Sequence, residues 1–476
     1  MVETREREPA SFRDPANEVY YVGDEVRRAI RGRRAVADWQ AVAASGFFGR
    51  LVAEGAICAT EQVTDDPAPD PAAAGDADRV EVVLRHERVP FISYPYEWTF
   101  SMLKDAAAAH LDLLLAAVPE GIITKDGTAY NLQWRGTQPV FIDIGSFERL
   151  RDGEPWAGYR QFCQTMLYPL MLQSHLDIDF RPWLRGQVEG IEPGQLRRMF
   201  TGSRRWKAGV LRHVHLQHAL ERRYAHASGS QMRSDLRSAG FSTELVLATL
   251  RGLRKLVDRL DWQPETSHWV GYRDTCSYSA ADTRAKQDFV DGALAAAGRL
   301  RLVLDLGAND GAYARLAAER ADYVVAVEAD HAVTDTLYRK LRDEGQRRIL
   351  PLVMDLADPS PGIGWRGRER AGFDRRAHGA DAVLALALVH HLAIGRNVPL
   401  PEVLDWLGAL GRHVVVEFVD PADPMAQRLL ANKPAGLFDD YRADVFERLF
   451  RERFTVTRTE SLPSGTRTLY AGVRRD

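Results

Sequence analysis

One segment of the chain, residues 302–328, constrains the fold more than any other. It contains an apolar run, an acid, a glycine turn, a helical stretch and a second apolar run that ends in an acid, in this order: residues 302–304, Asp305, Gly307 with Gly311, residues 312–320, residues 323–327 and Glu328. Strand, glycine turn, helix and strand are typical of a nucleotide site at the carboxyl edge of a parallel sheet. The segment therefore predicts an α/β domain with a nucleotide-type ligand at that edge.

Two kinds of nucleotide are compatible with this outline. A dinucleotide fingerprint requires glycine at the positions held by Asn309 and Ala312. Asp305 would repel a pyrophosphate but suits a cationic ammonium or sulfonium group, and S-adenosylmethionine carries both cations and no phosphate. The pattern thus resembles the class I methyltransferase family. A dehydrogenase fits fewer of these residues, and a purely structural glycine turn leaves the two acids at the strand ends unexplained.

The resemblance implies a Rossmann-like, mostly parallel sheet of seven strands with S-adenosylmethionine as cofactor. It also implies that Asp355 bonds the adenine amine and that Leu356 packs on the ring. Glu328 can accept hydrogen bonds from two ribose hydroxyls, and Gly307 lets the backbone approach the ligand. The predicted cofactor-binding residues are Asp305, Gly307, Asn309, Gly311, Glu328, Asp355, Leu356 and Tyr278.

Candidates for catalysis follow two later apolar runs. His390 and His391 follow residues 382–389, and Glu417 follows residues 414–416. A histidine of near-neutral pKa can remove the proton of an acceptor hydroxyl. On an extended segment only one of two neighbouring side chains faces the acceptor, and we favour His391. Alternatively, the pair caps a helix or packs against adenine. Metal binding by His391, Glu417 and Asp420 is a further alternative, but their spacing matches no recognised metal-ligand pattern, so no metal is predicted.

A further segment lies ahead of the first strand, where a helix is predicted at residues 280–297. It carries Trp269, Tyr272, Tyr278, Asp282 and Lys286. In a lid over the cofactor, such aromatic rings shield a sulfonium by cation–π contact. Ordinary packing of an amphipathic helix explains the same residues.

The first half of the chain resembles the catalytic loop of protein-kinase-like folds. Residues 125–131 place Asn131 five positions after Asp126, and Asp143 follows in an Asp-x-Gly motif. In that pattern Asp126 is the base, while Asn131 and Asp143 hold magnesium. The departures are large, because residues 1–103 contain no lysine and no glycine-rich loop. Arg85 is a candidate substitute for the missing lysine. A buried acid that stabilises a hairpin is the structural alternative.

Length and composition set the remaining bounds. A chain of 476 residues exceeds what one core usually serves, so we expect an α+β, helix-rich, kinase-like domain at 1–265 and a methyltransferase domain at 266–476. Within the first, residues 18–57 are predicted to be helical with a short strand possible at their start, and residues 80–84 and 89–93 to be paired strands. No run of 18 apolar residues and no signal-peptide core is present, which indicates a cytoplasmic protein.

Charge is distributed unevenly along the chain. Residues 181–259 contain 16 Lys or Arg and 6 Asp or Glu, a local charge of +10. The stretch predicts a phosphate-bearing or carrier-protein partner, contact with the acidic remainder of the chain, or solvated helix faces. A nucleic-acid partner is disfavoured, because interleaved aromatics and known binding modules are missing from the stretch.

Taken together, the chain resembles a family of bacterial two-part class I methyltransferases related to a host-specific nodulation protein. The resemblance runs from about residue 80 onward and is carried by residues 103–106, 125–131, 141–148, 154–163, 364–369, 389–392 and 416–425. It implies methyl transfer to a hydroxyl of a small molecule or sugar in a biosynthetic pathway, with Trp365 and Arg366 as candidates for acceptor recognition. The alternatives are a non-catalytic scaffold whose kinase-like half binds nucleotide or carrier protein, and a bifunctional kinase–methyltransferase.

Overall fold

The computed structural model describes residues 5–63, 80–151, 153–219, 242–263 and 278–475. The chain divides into two compact units. The first comprises residues 1–134, 138–263 and 362–370, and the second comprises residues 135–137, 264–361 and 371–476. The predicted boundary at residue 265, like Trp269 and Tyr272, lies outside the described residues.

The first unit is built on a five-stranded antiparallel sheet in the order β1-β2-β3-β5-β4. Its strands are β1 (Arg5–Arg7), β2 (Asn17–Val22), β3 (Glu25–Arg31), β4 (Thr60–Val63) and β5 (Val80–His86). The segment at residues 18–57, predicted to be helical with a short strand possible at its start, begins with two strands, because β2 and β3 occupy residues 17–31. Their sequence is rich in charge since several of their side chains remain partly exposed. Residues 89–93 form no strand, and β5 pairs with β3 and β4 instead.

Short strands and helices complete the first unit. The strands are β6 (Ile122–Thr124), β7 (Leu132–Arg135), β8 (Gln138–Phe141) and β9 (Phe147–Arg149). The helices are α1 (Arg33–Ala43), α2 (Gly46–Ala53), α3 (Phe100–Ala117), α4 (Tyr159–Phe162), α5 (Tyr168–Leu176), α6 (Arg181–Gly186), α7 (Pro193–Met199) and α8 (Thr243–Arg259), with π-helical segments at Cys163–Leu167 and Leu211–Leu216. Thr99 caps α3, whose alanine- and leucine-rich sequence is mostly buried, as an apolar helix in a core should be.

The second unit is an α/β structure around a seven-stranded sheet in the order β12-β11-β10-β13-β14-β16-β15. The strands are β10 (Leu300–Leu306), β11 (Ala321–Glu328), β12 (Ile349–Val353), β13 (Ala380–Ala385), β14 (Gly411–Val419), β15 (Phe454–Ser461) and β16 (Arg467–Arg474). The helices are α9 (Ala280–Ala296), α10 (Ala312–Ala318), α11 (His331–Asp343), α12 (Phe373–Ala377), α13 (Leu400–Leu410), α14 (Pro424–Leu430) and α15 (Ala443–Arg453), and a π-helical segment spans His391–Gly395.

Strand direction fixes where polar residues gather in this sheet. β10 pairs in parallel with β11 and β13, and β12 and β14 continue the parallel part outward. β16 runs antiparallel to both β14 and β15. The middle strands are almost entirely apolar and buried, which is expected of a parallel sheet covered on both faces. Their carboxyl ends therefore form one edge at which the polar residues after each strand meet.

Candidate active site

A cavity of about 730 Å³ opens at the carboxyl edge of the parallel strands of the second unit. Eight of the eleven predicted site residues line it. They are Asp305, Gly307, Asn309 and Glu328 from the first two strands and their turn, Asp355 and Leu356 after β12, His391 after β13, and Tyr278 ahead of α9. The fold thus brings together predicted residues that lie more than a hundred positions apart in the sequence, because the carboxyl ends of parallel strands share one edge.

Asp305 stands at the end of β10 with 2% of its surface exposed. Its Oδ2 atom has no hydrogen-bond partner among the described residues. Burial raises the pKa of this carboxyl to about 7, although the charge of Lys286 acts in the opposite direction. A buried acceptor without a partner is costly, so its place on a cavity wall indicates a cationic or donor group in the ligand.

The glycine turn after β10 has the backbone conformation that glycine favours. Gly307 has φ of +80° and Gly311 has φ of +78°. Gly307 lines the cavity, whereas Gly311 does not: a Cβ there would lie 2.6 Å from Leu337, so this glycine permits close packing of the turn on α11. Asn309, also at positive φ, lines the cavity between them.

Glu328 ends β11 and holds the same turn in place. Its Oε2 accepts the backbone N–H of Asn309 at 3.0 Å, and its Oε1 accepts those of Ala329 and Asp330 at 2.7 and 3.0 Å. Burial raises the pKa of this carboxyl despite these bonds. Each carboxylate oxygen still has lone-pair capacity, so Glu328 can also accept hydrogen bonds from hydroxyls in the cavity.

Asp355 and Leu356 lie just beyond β12. The Oδ1 atom of Asp355 accepts the backbone N–H of Ala357 at 3.0 Å, and its Oδ2 atom is paired with Arg396. Arg396, which the sequence analysis did not single out, also lines the cavity. The ion pair between Arg396 and Asp355 connects the end of the π-helical segment with the loop after β12, and both residues line the cavity.

The histidine pair departs from its predicted setting. β13 ends at Ala385, Ala387 takes a positive φ of 51°, and a helical turn begins before His390. The two rings therefore lie side by side, with centroids 4.1 Å apart, and do not point to opposite sides. His391 lines the cavity, while His390 is fully buried behind it. Burial lowers the pKa of His391, and the positive charge of Arg467 lowers it further.

Glu417 also occupies a different setting from the predicted one. It lies within β14 and not at its end, because antiparallel pairing with β16 carries the strand on to Val419. Its side chain is fully buried and does not line the cavity. Lys286 Nζ lies 2.6 Å from its Oε2, and Tyr278 donates to its Oε1 at 2.6 Å. Burial would raise its pKa, but the charges of Lys286 and Arg467 outweigh burial and lower it.

Arg467 connects this group to a second acid. Its Nη1 donates to the Tyr278 hydroxyl at 2.5 Å and to Glu417 at 3.3 Å. Its Nε donates at 2.8 Å to Asp423, which caps α14. Ser279 and Asp282 form the capping box that starts α9 and thereby position Tyr278 and Lys286. Two buried cations and two buried acids thus neutralise one another beside the cavity.

No protein-family model matches the chain. It is 33% identical over 476 residues to the nodulation protein NoeA of Rhizobium meliloti (strain 1021), in an alignment that covers 99% of this chain and 96% of NoeA. The chain belongs to the NoeA family.

Solved structures give weaker likenesses to this NoeA-family chain. The N-methyltransferase NodS from Bradyrhizobium japonicum WM9 is 11% identical with a TM-score of 0.31, over 42% of this chain and 99% of NodS. The magnesium protoporphyrin IX methyltransferase ChlM from Synechocystis PCC 6803, with bound SAH, is 16% identical with a TM-score of 0.29, over 45% of this chain and 90% of ChlM. These TM-scores are too low to define the fold or function of the chain.

The two acids predicted in the first unit of this NoeA-family chain, Asp126 and Asp143, have different neighbours. Arg28 Nη2 lies 3.0 Å from Asp143 Oδ1, and Lys125 Nζ lies 2.9 Å from Asp14 Oδ2. Asp126 Oδ1 accepts a hydrogen bond from Gln161 Nε2 at 3.2 Å. Burial raises the pKa of Asp126, and the negative charge of Asp143 raises it further. Buried Arg28 on β3 is thus the cation that meets Asp143.

Arg85, the candidate substitute for the missing lysine, has acidic neighbours of its own. It lies on β5 and pairs with Glu25 and Glu61, with about half of its side chain exposed. Sequence reasoning missed Arg28 and Arg467 because nothing separates them locally from the many arginines of the chain.

Several other predictions concern surfaces and metals. Among the described residues, no group of three or more His, Cys, Asp or Glu is suited to hold a metal ion. None of the described helices combines the length and apolarity needed to cross a membrane. Trp365 and Arg366 belong to the first unit and do not line the cavity. The basic stretch at 181–259 is described except for residues 220–241, and its partner stays a prediction.

Proposed function

We propose that this NoeA-family chain is an S-adenosylmethionine-dependent methyltransferase whose second unit binds the cofactor and transfers its methyl group to a hydroxyl of a small molecule or sugar. The observation that carries the proposal is Asp305, whose buried, unpartnered Oδ2 lies on a cavity at the carboxyl edge of the sheet. A carboxylate in that position favours a cationic ligand over a phosphate.

The residues around the cavity fit each part of this cofactor. Asp305 would bind the ammonium group, Glu328 the ribose hydroxyls, and Asp355 with Leu356 the adenine. Gly307 leaves the approach to the ligand free of a side chain. The antiparallel β15–β16 hairpin beside five parallel strands agrees with the sheet that the class I resemblance implies. When bound, S-adenosylmethionine supplies an electrophilic methyl group on its sulfonium.

His391 is the proposed base for the acceptor. An acceptor hydroxyl must lose its proton as its oxygen is methylated, and His391 is the histidine that lines the cavity. Because burial and the charge of Arg467 lower its pKa, its imidazole is neutral at pH 7 and has a lone pair for that proton. The proton then resides on a ring nitrogen of His391 until solvent removes it.

The structure offers less support for phosphotransfer by the first unit than for methyl transfer by the second. The contacts of Arg28 with Asp143 and of Lys125 with Asp14 supply these acids with cations from the chain itself. A magnesium ion would have to displace Arg28 from Asp143. We therefore propose that the first unit has no kinase activity. A phosphate-bearing or carrier-protein partner at the basic stretch is a separate proposal, supported by its charge alone.

Methyl transfer from labelled S-adenosylmethionine to a panel of small-molecule and sugar acceptors tests the proposed function. We expect label on an acceptor oxygen, and we expect His391→Asn to lower the rate of methyl transfer by at least about 100-fold. His378→Asn, which changes an exposed histidine on the same unit, should leave the rate unchanged. Label on nitrogen or carbon would contradict the hydroxyl assignment. A chain that neither binds S-adenosylmethionine nor transfers label would contradict the function itself.

A further inference from the structure

The basic stretch of the first unit contains a segment, residues 193–219, that has six basic side chains and no acid. Many exposed arginines elsewhere in the chain have an acidic partner, as Arg85 and Arg451 do. The six basic residues of the segment are all exposed, and in the described part of the chain none of them pairs with an acid: Arg197, Arg198, Arg204, Arg205, Lys207 and Arg212. Their positive charge is therefore not compensated by the described residues.

The same segment exposes large apolar side chains. Trp206, Leu211 and Leu216 have 65%, 48% and 54% of their surface exposed. They are three of the eight exposed large hydrophobic residues in the described part of the chain, and they lie within residues 206–216. Leu211 and Leu216 begin and end a π-helical segment, and their spacing of five positions is that of one π-helical hydrogen bond, which places both on one side. Such a concentration of exposed apolar side chains indicates an interaction site.

Contacts of the intervening residues fix this exposure. Val210 and Val214 are fully buried. The Tyr168 hydroxyl donates to the backbone carbonyl of His213 at 2.6 Å. Gly209, with φ of +77°, packs so closely that a Cβ there would lie 2.5 Å from the nearest side chain. One side of the segment is thus held against the core of the first unit, so its exposed side is a defined surface.

Positive charge and exposed apolar side chains together favour a membrane surface that contains anionic lipids. The phosphate groups of such a surface attract arginine and lysine, and its acyl boundary takes up leucine, while tryptophan lies at the level of the headgroups. A single-stranded nucleic acid stacks on tryptophan but has no apolar layer for the leucines. The core of a protein interface is depleted of charged residues, which fits six unpaired cations less well.

The residues that follow the segment in the sequence add to its positive charge. Residues 220–241 contain four arginines and two acids, a net charge of +2 (4 − 2). They therefore do not complement the segment, because like charges repel. We infer that residues 193–219 bind the surface of an anionic membrane, with their basic side chains on the lipid phosphates and Trp206, Leu211 and Leu216 in the interface. This contact goes beyond the proposed function and does not depend on methyl transfer by the second unit.

Sedimentation of the full chain with lipid vesicles tests the inference. Vesicles of phosphatidylglycerol and phosphatidylcholine in equal parts provide the anionic surface, and vesicles of phosphatidylcholine alone are the neutral reference. Each basic side chain near an anionic surface contributes about fivefold to binding, so we expect binding to the anionic vesicles to be at least about 100-fold tighter at low salt. High salt should remove most of this difference by screening. Equal binding to the two kinds of vesicle would overturn the inference.

A tryptophan variant tests the apolar contribution. Trp206→Ser should weaken binding to the anionic vesicles about tenfold, because a large side chain no longer leaves water. Trp365→Ser is the matched control, since Trp365 belongs to the same unit and is also 65% exposed. The control should change binding by less than about twofold. Equal binding by the two variants would contradict insertion of Trp206 into the interface.

A double arginine variant tests the charge. Arg204→Gln with Arg205→Gln should weaken binding to the anionic vesicles about 25-fold. Arg33→Gln with Arg50→Gln removes the same charge at two exposed arginines of the first unit and should have less than about a twofold effect. If both pairs of substitutions weakened binding equally, net charge and not this segment would account for it.

Soluble anions identify other occupants of the surface. Polyglutamate represents an acidic protein, and a single-stranded oligonucleotide represents a nucleic acid. We expect both to bind the full chain more weakly than the anionic vesicles do. Binding of either probe by a chain that sediments with neither kind of vesicle would assign the surface to that class and overturn the inference. Inorganic phosphate should release the chain from the vesicles no more than sodium chloride of equal ionic strength, and stronger release would indicate a discrete phosphate site instead.

Discussion

In the first unit Asp14 and Asp143 each contact a cation of that unit, whereas Asp305 in the second unit keeps an unpartnered oxygen on a cavity wall. Asp143 and Asp305 each belong to a motif that suggested a ligand site in the sequence, whereas Asp14 belongs to none. A buried acid with a cation beside it costs the folded state less free energy than a buried acid left without a partner. This difference between Asp143 and Asp305 supports the proposal that a ligand completes the site in the second unit.

The largest expected effect is that of Asp305→Asn. Removing the charge while keeping the shape should weaken S-adenosylhomocysteine about 100-fold or more, since the ligand ammonium loses its buried partner. Calorimetric titration measures the loss, and Asp343→Asn, at an exposed acid of α11, is the control. Unchanged affinity in Asp305→Asn would remove the basis for treating the second unit as the binding unit.

The same variant should gain stability when no ligand is present. The folded-state pKa of Asp305 is about 7 and its ordinary value is 3.8. Folding thus favours the protonated form, and this contribution is lost as pH rises through about 7. We expect Asp305→Asn to raise the free energy of unfolding at pH 8 by about 2 kcal/mol, and to raise it less at pH 5, in denaturant titrations. A destabilised variant at pH 8 would contradict the account.

Glu328→Ala should have the next largest effect on binding. It removes the proposed ribose acceptor and also the acceptor of three backbone N–H groups in the turn. We expect about 10- to 100-fold weaker binding of S-adenosylhomocysteine and of 5′-methylthioadenosine alike, because both carry the ribose. Glu344→Ala, at an exposed acid paired with Arg315, should change neither. A selective loss of one ligand would place Glu328 elsewhere in the site.

A smaller effect concerns pH. Because the ionised form of Asp305 binds the ammonium group, the affinity for S-adenosylhomocysteine should fall as pH drops below about 7, by at most about tenfold per unit. His391 and Glu328 also line the cavity, so 5′-methylthioadenosine, which has no ammonium group, serves as the reference ligand. In Asp305→Asn the affinities of the two ligands should change with pH in the same way. If their pH dependences still differed in that variant, the titration would belong to another group.

The smallest expected effect on binding is that of Arg28→Met in the first unit. Loss of its contact with partly exposed Asp143 should lower the free energy of unfolding by about 1 to 3 kcal/mol. Affinity for S-adenosylhomocysteine should change by less than about twofold, because the substitution lies outside the binding unit. Magnesium-dependent ATP binding by the wild-type chain that Asp143→Asn abolishes would break the comparison between the units.

Features set by the local sequence were predicted better than features set by contacts between distant segments. The turn at Gly307 and the acids after β10 and β11 follow local rules, so their place at one sheet edge was predictable. The setting of the histidine pair was not, because β13 stops early and Ala387 turns the chain into a helix. Glu417 was misplaced because antiparallel pairing, a tertiary effect, extends β14 beyond its apolar run.

Partners of buried charges were the least predictable part. Lys286 was identified only as a lid residue, and its contact with Glu417 joins positions far apart in sequence. Arg28 and Arg467 gave no local signal, since a buried arginine and an exposed one have the same neighbours along the chain. Such pairs depend on sheet register, which pattern and propensity do not fix.

The most direct test of the central claim is a pair of calorimetric titrations of the full wild-type chain, one with S-adenosylhomocysteine and one with magnesium–ATP. We expect one binding site for S-adenosylhomocysteine, weakened about 100-fold or more by Asp305→Asn, and no heat of binding for magnesium–ATP. Binding of magnesium–ATP without binding of S-adenosylhomocysteine would contradict it.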